Sequence, residues 1–300
     1  MCGIAGMLTF KQKNRSSQPA NIKGLVESVQ KIKAKGYINC LKHDWSLDDQ
    51  YLCGEQIITS LLKAARILKC DVPFLEIFSN STLQASINHL ADDLKRLAQK
   101  EEQLLAEHMG HLTSDAVSTM SGRIETLKDI AWCLSREILD NIDKIKTLCG
   151  LSQTTATPAT ITIFKQINTV LNSIDRLEVR GRDSAGLSLM FVFDKTQFEN
   201  FTDSLKQQNL IDQFTARTRQ EVLINRGISL RESKDAADQA IFSISLTYKI
   251  ASEIGRLGDN VAFLRNQIRK DKILQTLTDI AHRNFTISCH TRWASVGAIS

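Results

Sequence analysis

Cys2 is the residue on which chemistry is most easily built. It follows Met1 in the opening hexapeptide Met-Cys-Gly-Ile-Ala-Gly, and a residue as small as cysteine at position two permits removal of the initiator methionine. Removal leaves a thiol and a free α-amino group on one residue. The amine has a reference pKa of about 7.7–8.0, so a useful fraction is neutral near pH 7. It can take the thiol proton directly or through one water, and the thiolate is the attacking species. One residue then supplies both nucleophile and base. Read without chemistry, CGIAGMLTF at 2–10 is a buried strand beginning at the chain terminus.

Two later stretches concentrate polar side chains among glycines. Arg176 to Gly186 reads RLEVRGRDSAG, and His290 to Gly297 reads HTRWASVG. The first is expected at the end of a helix, because Ile163, Ile167, Val170, Leu171, Ile174 and Leu177 share one helical face ahead of it. The second follows FTISC at 285–289, a strand by its β-branched and aromatic content. Between them, LSLMFVF at 187–193 is dense enough for a strand buried on both faces.

The rest of the chain reads as helix. From about Ile22 to about Leu148, Leu83, Ile87, Leu90, Leu94, Leu97 and Leu104 form one stripe, with Glu101 out of place. Ile124, Leu127, Ala131, Leu134, Ile138, Ile142 and Ile145 form a second. Two such helices can pair as a hairpin. Gln153–Thr160 is expected to be a linker or turn. Residues 196–282 also read as helical, on the stripe Ile244, Tyr248, Ala251, Ile254, Leu257, Val261, Leu264 and Ile268.

Composition narrows the class. The 300 residues are 42% hydrophobic and 24% charged, as in a globular protein with a real core. The net charge of +5 is spread without a Lys/Arg block, so neither nucleic acid nor a membrane surface is expected as a partner. No apolar run approaches the roughly 18 residues of a membrane span, and the amino terminus has no signal-peptide pattern. A cytoplasmic location is the expectation. The seven cysteines are odd in number with no C-x-x-C pair, which indicates neither a disulfide framework nor a zinc site. His108 and His111, three apart, lack companion ligands. No metal and no cofactor are expected.

In order, CGI(x)G, RLE(x)RG(x)DSAG and HTRWA(x)(x)G resemble the glutaminase domain of glucosamine-6-phosphate synthases, the isomerising glutamine–fructose-6-phosphate aminotransferases. The resemblance is confined to these three islands. It implies an α/β (α+β) N-terminal-nucleophile fold, a four-layer α/β/β/α sandwich, interrupted here by two long, mainly helical insertions. Residues 1–10, 161–194 and 283–300 would belong to the amidotransferase domain, with 11–160 and 195–282 as the insertions.

The resemblance also implies an enzyme and its residues. Cys2 would attack the glutamine carboxamide. Arg292 would hold the glutamine α-carboxylate, work suited to a bidentate guanidinium. Trp293 would be the lid between the glutamine site and the ammonia path, and Ser295 keeps the hydroxyl of the family threonine. Arg180 would lie close to the nucleophile, favouring thiolate. Gly3, Gly181, Asp183 and Ser184 would support the site, Gly181 and Gly186 by allowing a tight turn and Asp183 and Ser184 by local hydrogen bonds. Glutamine is the implied donor. Fructose 6-phosphate would be the acceptor, in a C-terminal isomerase region outside these residues, and a homodimer is a further expectation.

Departures from the family pattern are Val296 for histidine, Arg182 for tyrosine and Ile299 for proline. The family's oxyanion Asn-Gly and its amino-group aspartate lie downstream of the third island, so residues 1–300 read as an incomplete glutaminase. Two alternatives are an amidophosphoribosyltransferase-like glutaminase and a degenerate, non-catalytic helical scaffold.

Overall fold

The computed structural model describes residues 3–9, 19–150, 156–181, 183–221, 224–251 and 256–292. The chain divides into two units, Ser16–Asp143 and the residues on either side of it, Met1–Arg15 with Lys144–Ser300.

The helical unit is built from α1 (Ile22–Lys33), α2 (Tyr37–His43), α3 (Leu47–Gln50), α4 (Gly54–Ile67), α5 (Asp71–Ser79), α6 (Ser81–His108) and α7 (Ser114–Trp132). A π-helical turn, Cys133–Leu139, continues α7 toward α8 (Asp140–Cys149). The two expected stripes are here, and α6 packs along α7. Ile87, Leu90, Leu94 and Leu97 of the first are buried, as are Ile124, Leu127, Ala131, Leu134 and Ile138 of the second. Asn80 caps α6 by accepting from the N–H groups of Thr82 and Leu83.

Glu101, the misfit in the first stripe, is 1% exposed. Its carboxylate accepts the Tyr37 N–H at 2.9 Å, satisfying an orphan donor at the start of α2. Arg123 is buried in the same way. It donates to the carbonyls of Leu47, at 2.9 Å, of Tyr51, at 2.6 Å, and of Asp48. Those carbonyls precede a left-handed run, Leu52 (φ 49°), Cys53 (φ 67°) and Gly54 (φ 79°). Both charged side chains therefore replace backbone partners where the helices change direction.

The second unit holds, among the described residues, one five-stranded antiparallel sheet. Its strands are β1 (Gly3–Thr9), β2 (Ser184–Asp194), β3 (Ile228–Lys234), β4 (Ala240–Ala251) and β5 (Asn284–Arg292), in the order β1-β5-β2-β4-β3. The helices of this unit are α9 (Pro158–Leu177), α10 (Lys195–Gln207), α11 (Ile211–Thr218), α12 (Asp259–Lys270) and α13 (Lys272–Asp279). Helices α9, α10 and α12 pack directly on the sheet. Thr157 caps α9 through the Thr160 N–H at 3.1 Å, with Pro158 in the first turn. The expected linker thus ends at Thr157, and residues 151–155 lie outside the described set.

Two expectations are corrected. Residues 195–282 are not a helical insertion throughout, because β3 and β4 lie within them and pair with β2. Ile244 and Tyr248 are four apart, a spacing that puts residues on one face of a helix and equally on one face of a strand. Leu246 decides between the two: Ile244, Leu246 and Tyr248 are all buried, while Ser243, Ser245, Thr247 and Lys249 turn to the other side. The later part of that stripe, Val261, Leu264 and Ile268, does belong to a helix, α12.

Strand β2, expected to be buried on both faces, alternates instead. Leu187, Leu189, Phe191 and Phe193 are buried, whereas Ser188, Met190 and Val192 are half-buried on the opposite face. The fold is a mixed α+β arrangement, with one sheet among the described residues. No helix among the described residues is long and apolar enough to cross a membrane.

Candidate active site

Gly3, at the start of β1, stands opposite Thr291 of β5 in the ladder. Across the same strand, β5 pairs with β2, so that Ser184 stands opposite Arg292 and Ala185 opposite Thr291. Residues from all three islands therefore meet at one end of three adjacent strands, although Gly3 and Thr291 are 288 positions apart.

The contacts there are close. The Gly3 N–H donates to Thr291 Oγ1 at 3.2 Å, and Thr291 is fully buried. A Cβ on Gly3 would lie 2.8 Å from Leu177 Cβ and 2.9 Å from Thr291 Oγ1, so only glycine fits between α9 and β5. On the other side of β5, the Asp183 N–H donates to the Arg292 carbonyl at 3.1 Å. The end of β5 is held from both flanks, and Arg292 itself is exposed.

α9 is followed by a short 3-10 helix, Glu178–Arg180, that packs on β5. Arg180 lies at its end, and the structure describes its backbone alone. Gly181 donates its N–H to the Glu178 carbonyl at 3.1 Å. Its φ of −169° is extended backbone, so the tight-turn role expected for this glycine is not what its conformation requires. Gly186 is likewise in a strand rather than a turn. It is small because a Cβ there would meet His290 Cε1 at 2.6 Å, which makes room for the imidazole on the neighbouring strand. Ser184 enters through its place in the ladder, opposite Arg292 and Ala251. Cys2, Trp293, Ser295, Arg182, Val296 and Ile299 lie outside the described residues.

Glu178 had no assigned role in the sequence, and the structure gives it one. It is 1% exposed, and its carboxylate accepts from the N–H groups of Gly258 and, at 3.2 Å, Val261. A carboxylate at the N-terminus of α12 satisfies orphan donors and complements the helix dipole. The turn beside Arg180 is thereby tied to the helix layer. Deeper in the same unit, Asp271 anchors a second polar cluster. Its carboxylate pairs with the Arg217 guanidinium at 2.9 and 2.8 Å, accepts the Tyr248 hydroxyl at 2.9 Å and caps α13.

Electrostatics separate five of the described cysteines from a working nucleophile. Burial pushes the thiols of Cys149 and Cys289 up to about 12 and that of Cys133 up to about 11. Cys40 and Cys53 are raised by the same cause. These are protonated packing residues at neutral pH. His290 is shifted the other way: partial burial, then the cations Lys249 and Arg292, hold its pKa below the ordinary value, which favours a neutral ring. The face of the sheet carrying His290 also presents Ser188, Ser245, Thr247, Lys249 and Ser288 around a shallow hollow.

Comparison of the chain with family models, with curated proteins and with solved structures found no match.

Proposed function

We propose that this chain is a glutamine amidotransferase of the N-terminal-nucleophile class, with Cys2 as its nucleophile. The observation that carries the reading is the convergence of the three islands at one end of β1, β5 and β2. Scattered matches would have no reason to meet in space. Here the residue after Cys2, the arginine suited to a substrate carboxylate and Ser184 of the second island share one ladder end.

The chemistry follows from those residues. The freed α-amine of Cys2 takes the thiol proton, and the thiolate attacks the glutamine carboxamide carbon. The proton passes to the departing nitrogen, ammonia leaves, and water hydrolyses the thioester to glutamate and free thiol. Arg292, exposed at the end of β5, pairs with the α-carboxylate of glutamine. Arg180 supplies positive charge near the thiolate, Trp293 is the lid and Ser295 a hydroxyl partner to substrate. The resemblance implies a four-layer α/β/β/α sandwich, of which the sheet and the helices packed on it supply two layers. The ammonia goes to fructose 6-phosphate, giving glucosamine 6-phosphate in the cytoplasm. That acceptor rests on the resemblance of the Trp-bearing third island alone.

The test is Cys2→Ala. Glutamine-dependent glutamate release should fall to background. Equal glutamate release from the variant would end the nucleophile assignment.

A further inference from the structure

We infer that the hollow on the sheet is a binding site for a small phosphate ester, whose phosphate group sits between Lys249 and His290. The inference stands apart from the glutaminase reading, in which neither side chain has a part. The register of three strands builds the seat. Across β4, β2 and β5, Lys249, Gly186 and His290 form one row, and Thr247, Ser188 and Ser288 form the next row on the same face. Neighbouring strands lie about 4.8 Å apart, so the Cα atoms of Lys249 and His290 are about 10 Å from each other. Gly186 puts no side chain between them. The imidazole leans into that space, with its Cε1 2.6 Å from where a Cβ on Gly186 would lie.

The lining decides the ligand. The hollow has a volume of about 670 Å³, within the span of small-molecule sites. Among the described residues it is lined by three basic side chains, Lys249, His290 and Arg231, and by six hydroxyls, with no carboxylate and no aromatic ring. Basic groups without acidic ones favour an anion. A phosphate ester has three terminal oxygens, enough to take the ammonium and the neighbouring hydroxyls together, where a carboxylate has two. Without rings there is no surface on which to stack a base, so the ester's body is polar. It runs over the serines of β4 and β3 toward Arg231, which stands opposite Ser243 at the far end.

The charged groups that act on His290 are Lys249 on β4 and Arg292, two residues along β5. Its ladder partners Ile4 and Gly186 carry no charge. A bound phosphate offsets the two cations and draws a proton onto the ring.

The test follows the His290 ring protons by NMR in the full chain, titrated with inorganic phosphate and with glycerol phosphate. Both should give a saturable shift at His290 and raise its pKa toward or above the ordinary value of about 6.5, with glycerol phosphate binding more tightly. Lys249→Gln should weaken binding by about 10- to 100-fold, the scale of one charge-assisted hydrogen bond. Lys206→Gln, which removes an exposed cation from α10, should leave it unchanged.

A His290 that neither probe moves overturns the site, and the unaltered chain decides that point without any variant having to fold. Equal affinity in Lys249→Gln, or equal weakening in Lys206→Gln, also overturns it. Tighter binding of inorganic phosphate than of glycerol phosphate overturns the ester. Displacement of either probe by glutamine assigns the anion to the glutamine site and overturns a separate one.

Discussion

The two units place polar residues inside their cores for different ends. In the helical unit, Glu101 and Arg123 are buried to satisfy backbone groups where helices begin or turn. Each ties one helical segment to another distant in the chain, Glu101 to Tyr37 64 positions away and Arg123 to Tyr51 72 positions away. In the sheet unit, Thr291, Glu178 and Asp271 instead tie together the sheet and the elements around it: β1 to β5, the 3-10 segment before β2 to α12, and α11 to β4 and α13. The contrast is between ties that run from helix to helix and ties that run through the sheet on which the proposed site lies.

Substitutions in the two units should therefore have separable effects. The largest is expected for Cys2→Ala, with glutamine hydrolysis falling by on the order of 10⁶, the scale on which loss of a covalent nucleophile acts. No change in the helical unit should approach it, as glutamate release assays would show. Next comes Asp271→Ala, which leaves Arg217 buried without its counter-ion and should destabilise the sheet unit by about 3–5 kcal/mol. Hydrogen exchange should report faster opening of β4 and α13, with α6 and α7 unaffected.

Glu101→Ala reverses the pattern. It strands the Tyr37 N–H and should destabilise the helical unit by about 1–3 kcal/mol, visible in α2 and α6, while the Cys2 alkylation rate stays constant. Equal loss of protection in both units for either variant would erase the distinction drawn here.

The smallest effect concerns pH. The folded state holds His290 below its ordinary pKa, so protonation is harder when folded than when unfolded. Stability from this residue is complete above the unfolded value of about 6.5 and declines as pH falls through it toward the lower folded value. His290→Asn should flatten that decline in the sheet unit, measured as unfolding midpoints at neutral and mildly acidic pH.

What could be read from the sequence differs between the units for a physical reason. Helical stripes are local, so the cores of α6 and α7 were visible in Leu90, Leu94 and Leu127. Strand β4 is ambiguous in the sequence because Ile244 and Tyr248, four apart, fit both periods, and only Leu246 between them marks the strand. The three islands of the site were visible as motifs. Their supports were not: Thr291 acts on a residue 288 positions away, and Glu178 caps a helix some 80 positions on. Gly186 looked like a turn residue because its need for smallness comes from His290 on another strand.

The most direct test of the central claim is to treat the protein with a glutamine analogue bearing an electrophilic diazoketone and to map the adduct by mass spectrometry. The account requires a single adduct on Cys2 of a chain lacking Met1, formed faster than any adduct on Cys70 and suppressed by excess glutamine. Labelling that leaves Cys2 unmodified, or that glutamine does not suppress, would contradict it.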